Sequence, residues 1–147
     1  MKPLKLPPVD LPIEPIQYPE GWGPPGGIEI YSALPREMRL PFEHHLKRSG
    51  WKRNPDAAIC PPADITIVNG SAFVHTDDDY GIMAIALIDS MGETELVTRY
   101  GGTRMTVGDV VVFDTDKWHG WISHGLCALA GICVAPITPS QETHAET

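Results

Sequence analysis

The sequence predicts a mainly β fold, a sandwich or barrel, carrying a Pro-rich N-terminal arm and one short helix. Three observations predict it. From residue 64 onward, about seven or eight short apolar or alternating segments recur every 8–12 residues or so, with Gly, Asn and Asp between them. Thirteen of the 15 prolines lie in residues 1–62, where they cannot sustain a continuous ladder of hydrogen bonds. Helical spacing of apolar residues occurs in one stretch, where Met38, Phe42 and Leu46 stand at i, i+4 and i+8.

Taken in order, residues 1–34 read as the arm, extended over 1–27 by Leu6-Pro7-Pro8 and Gly23-Pro24-Pro25-Gly26-Gly27. It can wrap its own domain or reach a second copy as a homodimer. Residues 35–63 supply a helix and a linker. Pro35 suits the first helical turn and Gly50 the end, while Pro41 could break the helix in two. Residues 64–137 form the β core. Ile65–Val68 is a strand stopped by Asn69-Gly70, and Ser71–His75 is a second. Ile82–Ile88, Glu95–Tyr100, Val110–Phe113, Trp118–Ile122 and Leu126–Val134 follow, the last with small residues (Ala128, Ala130, Gly131) that let a neighbour or ligand approach. Residues 138–147 are a flexible tail.

Composition narrows the function. The chain of 147 residues has 42% hydrophobic and 20% charged residues, an ordinary globular mixture that can build one core without disulfide staples. A net charge of −8 argues against nucleic acid or anionic lipid as main partner. No apolar run approaches the roughly 20 residues of a membrane span, and MKPLKLPPVD lacks a signal-peptide apolar core. Cys60, Cys127 and Cys133 are odd in number and show no CxxC spacing. They read as buried or free thiols of a reducing compartment, and a cytoplasmic location is expected. No GxSxG elbow, P-loop or GxGxxG occurs, which removes the commonest signatures of serine hydrolases and nucleotide enzymes.

The candidate chemistry lies in His75-Thr76-Asp77 and His119. Residues i and i+2 of a strand share a face, so an imidazole and a carboxylate one residue apart can grip one ion. Two histidines and one carboxylate form the facial triad of non-heme Fe(II) oxygenases and leave positions open for substrate and O2. The plainer reading makes Asp77-Asp78-Asp79 a solvated turn and His119 a core residue between Trp118 and Trp121. Those two tryptophans are read as core, with shielding of a reactive centre as the alternative. His124 is read as part of a surface turn Ser123-His124-Gly125, or as a group supporting His119. His44-His45 diverge on the helix and cannot share an ion.

The segment Asn69–Asp77 resembles the strand that delivers HxD in Fe(II)/2-oxoglutarate-dependent dioxygenases. The apolar strand Ile82–Ile88, the start Gly92–Leu96 and Val107-Gly108-Asp109 followed by Val110–Phe113 occur in that family's order ahead of a distal histidine, here His119. The resemblance covers residues 64–134. It implies a double-stranded β-helix (jelly roll), His75, Asp77 and His119 as iron ligands, and hydroxylation of a small-molecule or peptide substrate with 2-oxoglutarate as cosubstrate. Imidazoles must be neutral to coordinate, so metal uptake should weaken in acid.

The chain departs from that family in one respect. An arginine normally follows the distal histidine by about ten residues and pairs with the cosubstrate's far carboxylate, a role suited to a planar guanidinium. Here no Arg or Lys follows Lys117. Arg99 is the substitute, on the strand where Jumonji-type relatives carry a lysine, assisted by Thr98 and Tyr100. Alternatively, Arg99 is a surface partner of Glu95 or Asp89. Arg104 reads as a loop residue. Gly108–His119 also resembles the second cupin motif, with Asp114 and Asp116 replacing the usual Pro and Gly. A cupin-like metal protein (isomerase, thiol oxygenase or sensor) uses the same three ligands, and a non-catalytic structural or assembly module is the third alternative.

Overall fold

The computed structural model describes residues 1–11, 27–55, 63–74 and 81–138. Its strands are β1 (Leu4–Leu6), β2 (Gly27–Ala33), β3 (Trp51–Arg53), β4 (Ala63–Val74), β5 (Ile82–Ser90), β6 (Thr94–Thr98), β7 (Gly101–Met105), β8 (Val110–Asp114) and β9 (His119–Pro136), with helix α1 (Arg36–Arg48) between β2 and β3. The long strands β4 and β9 run antiparallel and each serve two walls. Their Ala63–Asn69 and Leu126–Ile132 segments belong to a large wall ordered β1-β8-β5-β9-β4-β2. Their Ser71–Val74 and His119–Ile122 segments combine with the β6–β7 hairpin into a smaller wall. This pairing is that of a double-stranded β-helix.

Two apolar clusters follow from strand alternation. Met83, Ile85 and Leu87 of β5, Val111 and Phe113 of β8, and Leu129 and Cys133 of β9 meet Ala72, Leu96, Met105 and Trp121 from the small wall inside the roll. The alternate residues, Ala84, Ala86, Ile88, Val110, Val112, Ala128 and Ala130, face outward and are covered by Leu6, Leu11 and α1. A wall buried on both faces needs continuous apolar runs rather than strict alternation, which is why Ile82–Ile88 and Val110–Phe113 carry so few polar residues. The small residues on β9 admit the outer cluster. Gly131 faces the roll, where an added Cβ would lie 2.8 Å from the Met83 Cε.

Helix α1 buries Met38, Phe42 and Leu46, as the periodicity predicts. Pro35 is its N-cap, and Pro41 removes one internal N–H donor without breaking it. Gly50, at φ 87°, takes the left-handed conformation that ends the helix, and its N–H donates to the Lys47 carbonyl.

Several expectations need correction. Parts of the arm are strands: β1 pairs with β8 and β2 with β4. The Val9 N–H donates to the Gly108 carbonyl and His45 Nε2 lies 2.8 Å from the Pro7 carbonyl, so this stretch lies on its own domain. Asn69-Gly70 is a register shift inside one continuous strand, β4, and not a stop. Ser123-His124-Gly125 does not interrupt β9, although His124 and Gly125 are exposed. The linker contributes β3, paired to the end of β9. Cys127 and Cys133 are buried and not joined in a disulfide, and Cys60 lies outside the described residues. Among the described residues no helix is long and apolar enough to cross a membrane.

Candidate metal centre

His119 opens β9 at one end of the roll. It pairs across the ladder with Val74 of β4 on one side and Thr98 of β6 on the other, so its backbone is held from both flanks. The preceding turn is tied down as well: the Thr115 N–H and hydroxyl both donate to the Gly81 carbonyl, at 2.9 and 2.7 Å. That joins the approach to His119 to the residue just before β5.

His119 is 5% exposed. Its Nδ1 lies 2.8 Å from the Lys117 carbonyl. A carbonyl only accepts, so Nδ1 carries a proton, and whenever the ring is neutral Nε2 is its lone-pair nitrogen. An imidazole whose other nitrogen donates to a carbonyl is the usual arrangement of a metal-binding histidine. The Phe113 ring and the imidazole meet in a T-shaped arrangement, with centroids 5.3 Å apart. Three residues ahead of His119, Asp116 Oδ1 is buried with no hydrogen-bond partner among the described residues. A lone buried carboxylate oxygen is costly unless a cation or donor faces it, so this end of the roll suits a positively charged occupant.

His75 and Asp77, with Asp78 and Asp79, lie outside the described residues. The chain reaches them directly after Val74, the residue paired with His119. Among the described residues no group of three or more His, Cys, Asp or Glu side chains could hold a metal ion.

Arg99 is not on a strand. β6 stops at Thr98, which pairs with Gly101, so Arg99 and Tyr100 form the two-residue turn of the β6–β7 hairpin. The alternation of Glu95, Val97 and Arg99 therefore ends one step early, because the chain must reverse to build β7. Both turn residues are exposed. The Arg99 guanidinium lies over the Tyr100 ring, 4.8 Å from its centroid, and Nη2 donates to the phenolic oxygen at 2.6 Å. That hydrogen bond lowers the Tyr100 pKa from its ordinary value. Thr98 Oγ1 accepts the Tyr100 N–H at 3.1 Å. Thr98, Arg99 and Tyr100 thus share one end of the roll with His119, but the expectation of an inward-facing guanidinium is corrected.

Trp121 is core, at 1% exposure, whereas Trp118 is 40% exposed and not core as expected. Arg104 lies on β7, not in a loop, and is exposed. His124 is exposed, with its backbone N–H on the Glu93 carbonyl. Sequence reasoning missed the Lys117 carbonyl and Phe113 as groups around His119, and the buried Asp116 oxygen in the turn before it. A backbone acceptor carries no residue signal, but an aromatic closing the strand before the acidic turn could have pointed to Phe113.

No family model matches the chain, and no curated protein matches it. Solved structures give distant likenesses. A cupin domain of an XRE-family transcriptional regulator from Enterobacter cloacae is 16% identical, with 55% of this chain and 90% of that one covered, at a TM-score of 0.41. Ectoine synthase from P. lautus is 16% identical over 66% of this chain and 72% of that one, at 0.40. A prolyl 4-hydroxylase from Phytophthora capsici is 12% identical over 75% and 47%, at 0.35. The assignment to a double-stranded β-helix rests on the strand pairing above and not on these likenesses.

Proposed function

We propose that this protein binds a divalent metal, iron(II) foremost, through His75, Asp77 and His119, and acts as a non-heme metal enzyme on a small-molecule or peptide substrate. The observation that carries the proposal is the His119 imidazole, fixed by the Lys117 carbonyl with Nε2 as its lone-pair nitrogen. The buried Asp116 oxygen, lacking a hydrogen-bond partner among the described residues, adds support for a cation at this end. Bound there by two imidazoles and one carboxylate, iron(II) would keep coordination positions open for substrate and O2. The chain's own contribution is to hold His119 rigidly and, through Phe113 and Trp121, to wall the ring off from water on its inner side.

The experiment is anaerobic titration with Fe(II) of the wild type, His119→Ala and His75→Ala. One equivalent taken up by the wild type and lost in both variants is the expected result. Unchanged uptake in His119→Ala would end the reading.

Dependence on 2-oxoglutarate is the second reading. Its support is the register that pairs Thr98 with His119 and so brings Arg99 to the same end. The exposed guanidinium, engaged with Tyr100, weighs against a buried ion pair with a cosubstrate. Formation of succinate from 2-oxoglutarate by the iron-loaded protein, abolished in Arg99→Ala, would establish it. Its absence with intact iron binding favours cupin-like chemistry.

A further inference from the structure

Phe113 and His119 come from different walls of the roll. Phe113 is the next-to-last residue of β8 in the large wall, His119 opens β9 in the small one, and their rings meet at an interplanar angle of 68°. Phe113 is in turn edge-on to Trp121, at 6.3 Å and 67°. Phe113 and Trp121 are each 1% exposed. Edge-to-face geometry of this kind is attractive and directional.

We propose that Phe113 is a positioning residue for His119. With Trp121 behind it, Phe113 fixes the tilt of the imidazole so that Nδ1–H stays on the Lys117 carbonyl and Nε2 is presented as a donor. This deepens the metal reading above and rests on it for its purpose. The physical need is plain. The torsion that turns an imidazole about its Cβ–Cγ bond is broad and nearly two-fold. Half a turn would exchange Nδ1 for a carbon and discard the hydrogen bond. One neutral hydrogen bond is a soft restraint on that motion, whereas an aromatic ring packed in a T-shape from the opposite wall opposes it as well. Leucine or methionine at position 113 fills most of the same space but has no ring to meet the imidazole.

The test uses the full chain in two measurements. Long-range proton–nitrogen correlation spectra of the metal-free protein, at a pH where imidazoles are neutral, report which His119 nitrogen carries the proton. Visible absorption during Co2+ titration reports affinity. The wild type should show a single Nδ1–H tautomer. Phe113→Leu should show both tautomers and a Co2+ Kd raised about tenfold, the lower end of what losing an outer partner of a ligand costs. Phe113→Met, whose unbranched and flexible chain fills irregular space better, gives the same readout if leucine leaves a disruptive cavity. An Nε2–H tautomer in the wild type would overturn the proposal. So would variants that keep both the Nδ1–H signature and an affinity within twofold. A wild type without Co2+ uptake, whose Nδ1–H signature is still lost in the variants, would sink the metal reading and support the positioning role.

Discussion

Asp109→Ala should cost about 2–3 kcal/mol near pH 7, and part of that cost should vanish in acid. Asp109 follows Gly108 in the turn before β8 and is 7% exposed. Its Oδ2 accepts the Thr106 N–H at 2.8 Å and the Thr106 hydroxyl at 3.1 Å, and it lies 3.0 Å from the Lys5 ammonium of β1. A hydrogen bond to a charged group contributes about 1.5–3 kcal/mol. The Lys5 side chain is 48% exposed, so that ion pair adds no more than about 1 kcal/mol. Burial alone would push the Asp109 carboxyl up; the Thr106 donors and Lys5 outweigh it, and the group sits below the ordinary 3.8. A carboxyl depressed in the folded state stabilises fully above its unfolded pKa and loses that contribution as pH falls through its folded value. Urea denaturation of wild type and Asp109→Ala at about pH 7 and again near pH 2.5 measures both effects. Lys5→Ala, as control, should cost under about 1 kcal/mol. Equal destabilisation at the two pH values, or a cost below about 0.5 kcal/mol at pH 7, would refute the reasoning.

Three further outcomes are expected. Phe42 is fully buried between α1 and the large wall, so Phe42→Ala should cost about 3–5 kcal/mol in denaturant melts, and a loss below about 1 kcal/mol would contradict that packing. An added Cβ at Gly92 would stand 2.8 Å from the His124 carbonyl oxygen, which is backbone, whereas at Gly102 it would meet the movable carboxylate of Glu95. Gly92→Ala should therefore lower stability by about 1–3 kcal/mol and Gly102→Ala by less, with the reverse order counting against the geometry. Burial pushes the Cys127 thiol up, although Ser123 and Thr94 pull it down. In a Cys60→Ser background, a thiol reagent should label neither remaining cysteine until denaturant opens the roll.

The helix and the central strands were legible because their burial is periodic. Met38, Phe42 and Leu46 could only line one face of a helix, and the outer cluster accepts that face. The doubly buried wall announced itself in the apolar run of β5. Misread segments are those where local chemistry and tertiary pairing disagree. Asn69-Gly70 has the residues of a turn, and Gly70 does adopt φ 76°, but pairing with β9 resumes on the far side. Gly101–Met105 lacks a strand pattern because, among the described strands, β7 pairs with β6 alone. Proline masked β1, whose pairing to β8 involves only Leu4, Lys5 and Leu6. At the candidate site, the place of His119 at the start of a strand, after the apolar strand and acidic turn, was legible. Arg99 was misplaced because the end of a strand depends on where the partner turns back, and alternation carries no such information.

Strand β9 makes ladders with β3, β4, β5 and β6. It is the last of the described strands to be synthesised, so a chain growing from its N-terminus holds all four partners before the segment that joins them exists. Until residues 119–136 arrive, the two walls have no common strand except β4, and both apolar clusters stand open. Such long-range closure slows folding and exposes unpaired edges while it waits. Because His119 is the first residue of that closing strand, its imidazole meets Phe113 only when the roll shuts, and the candidate centre cannot form ahead of the fold.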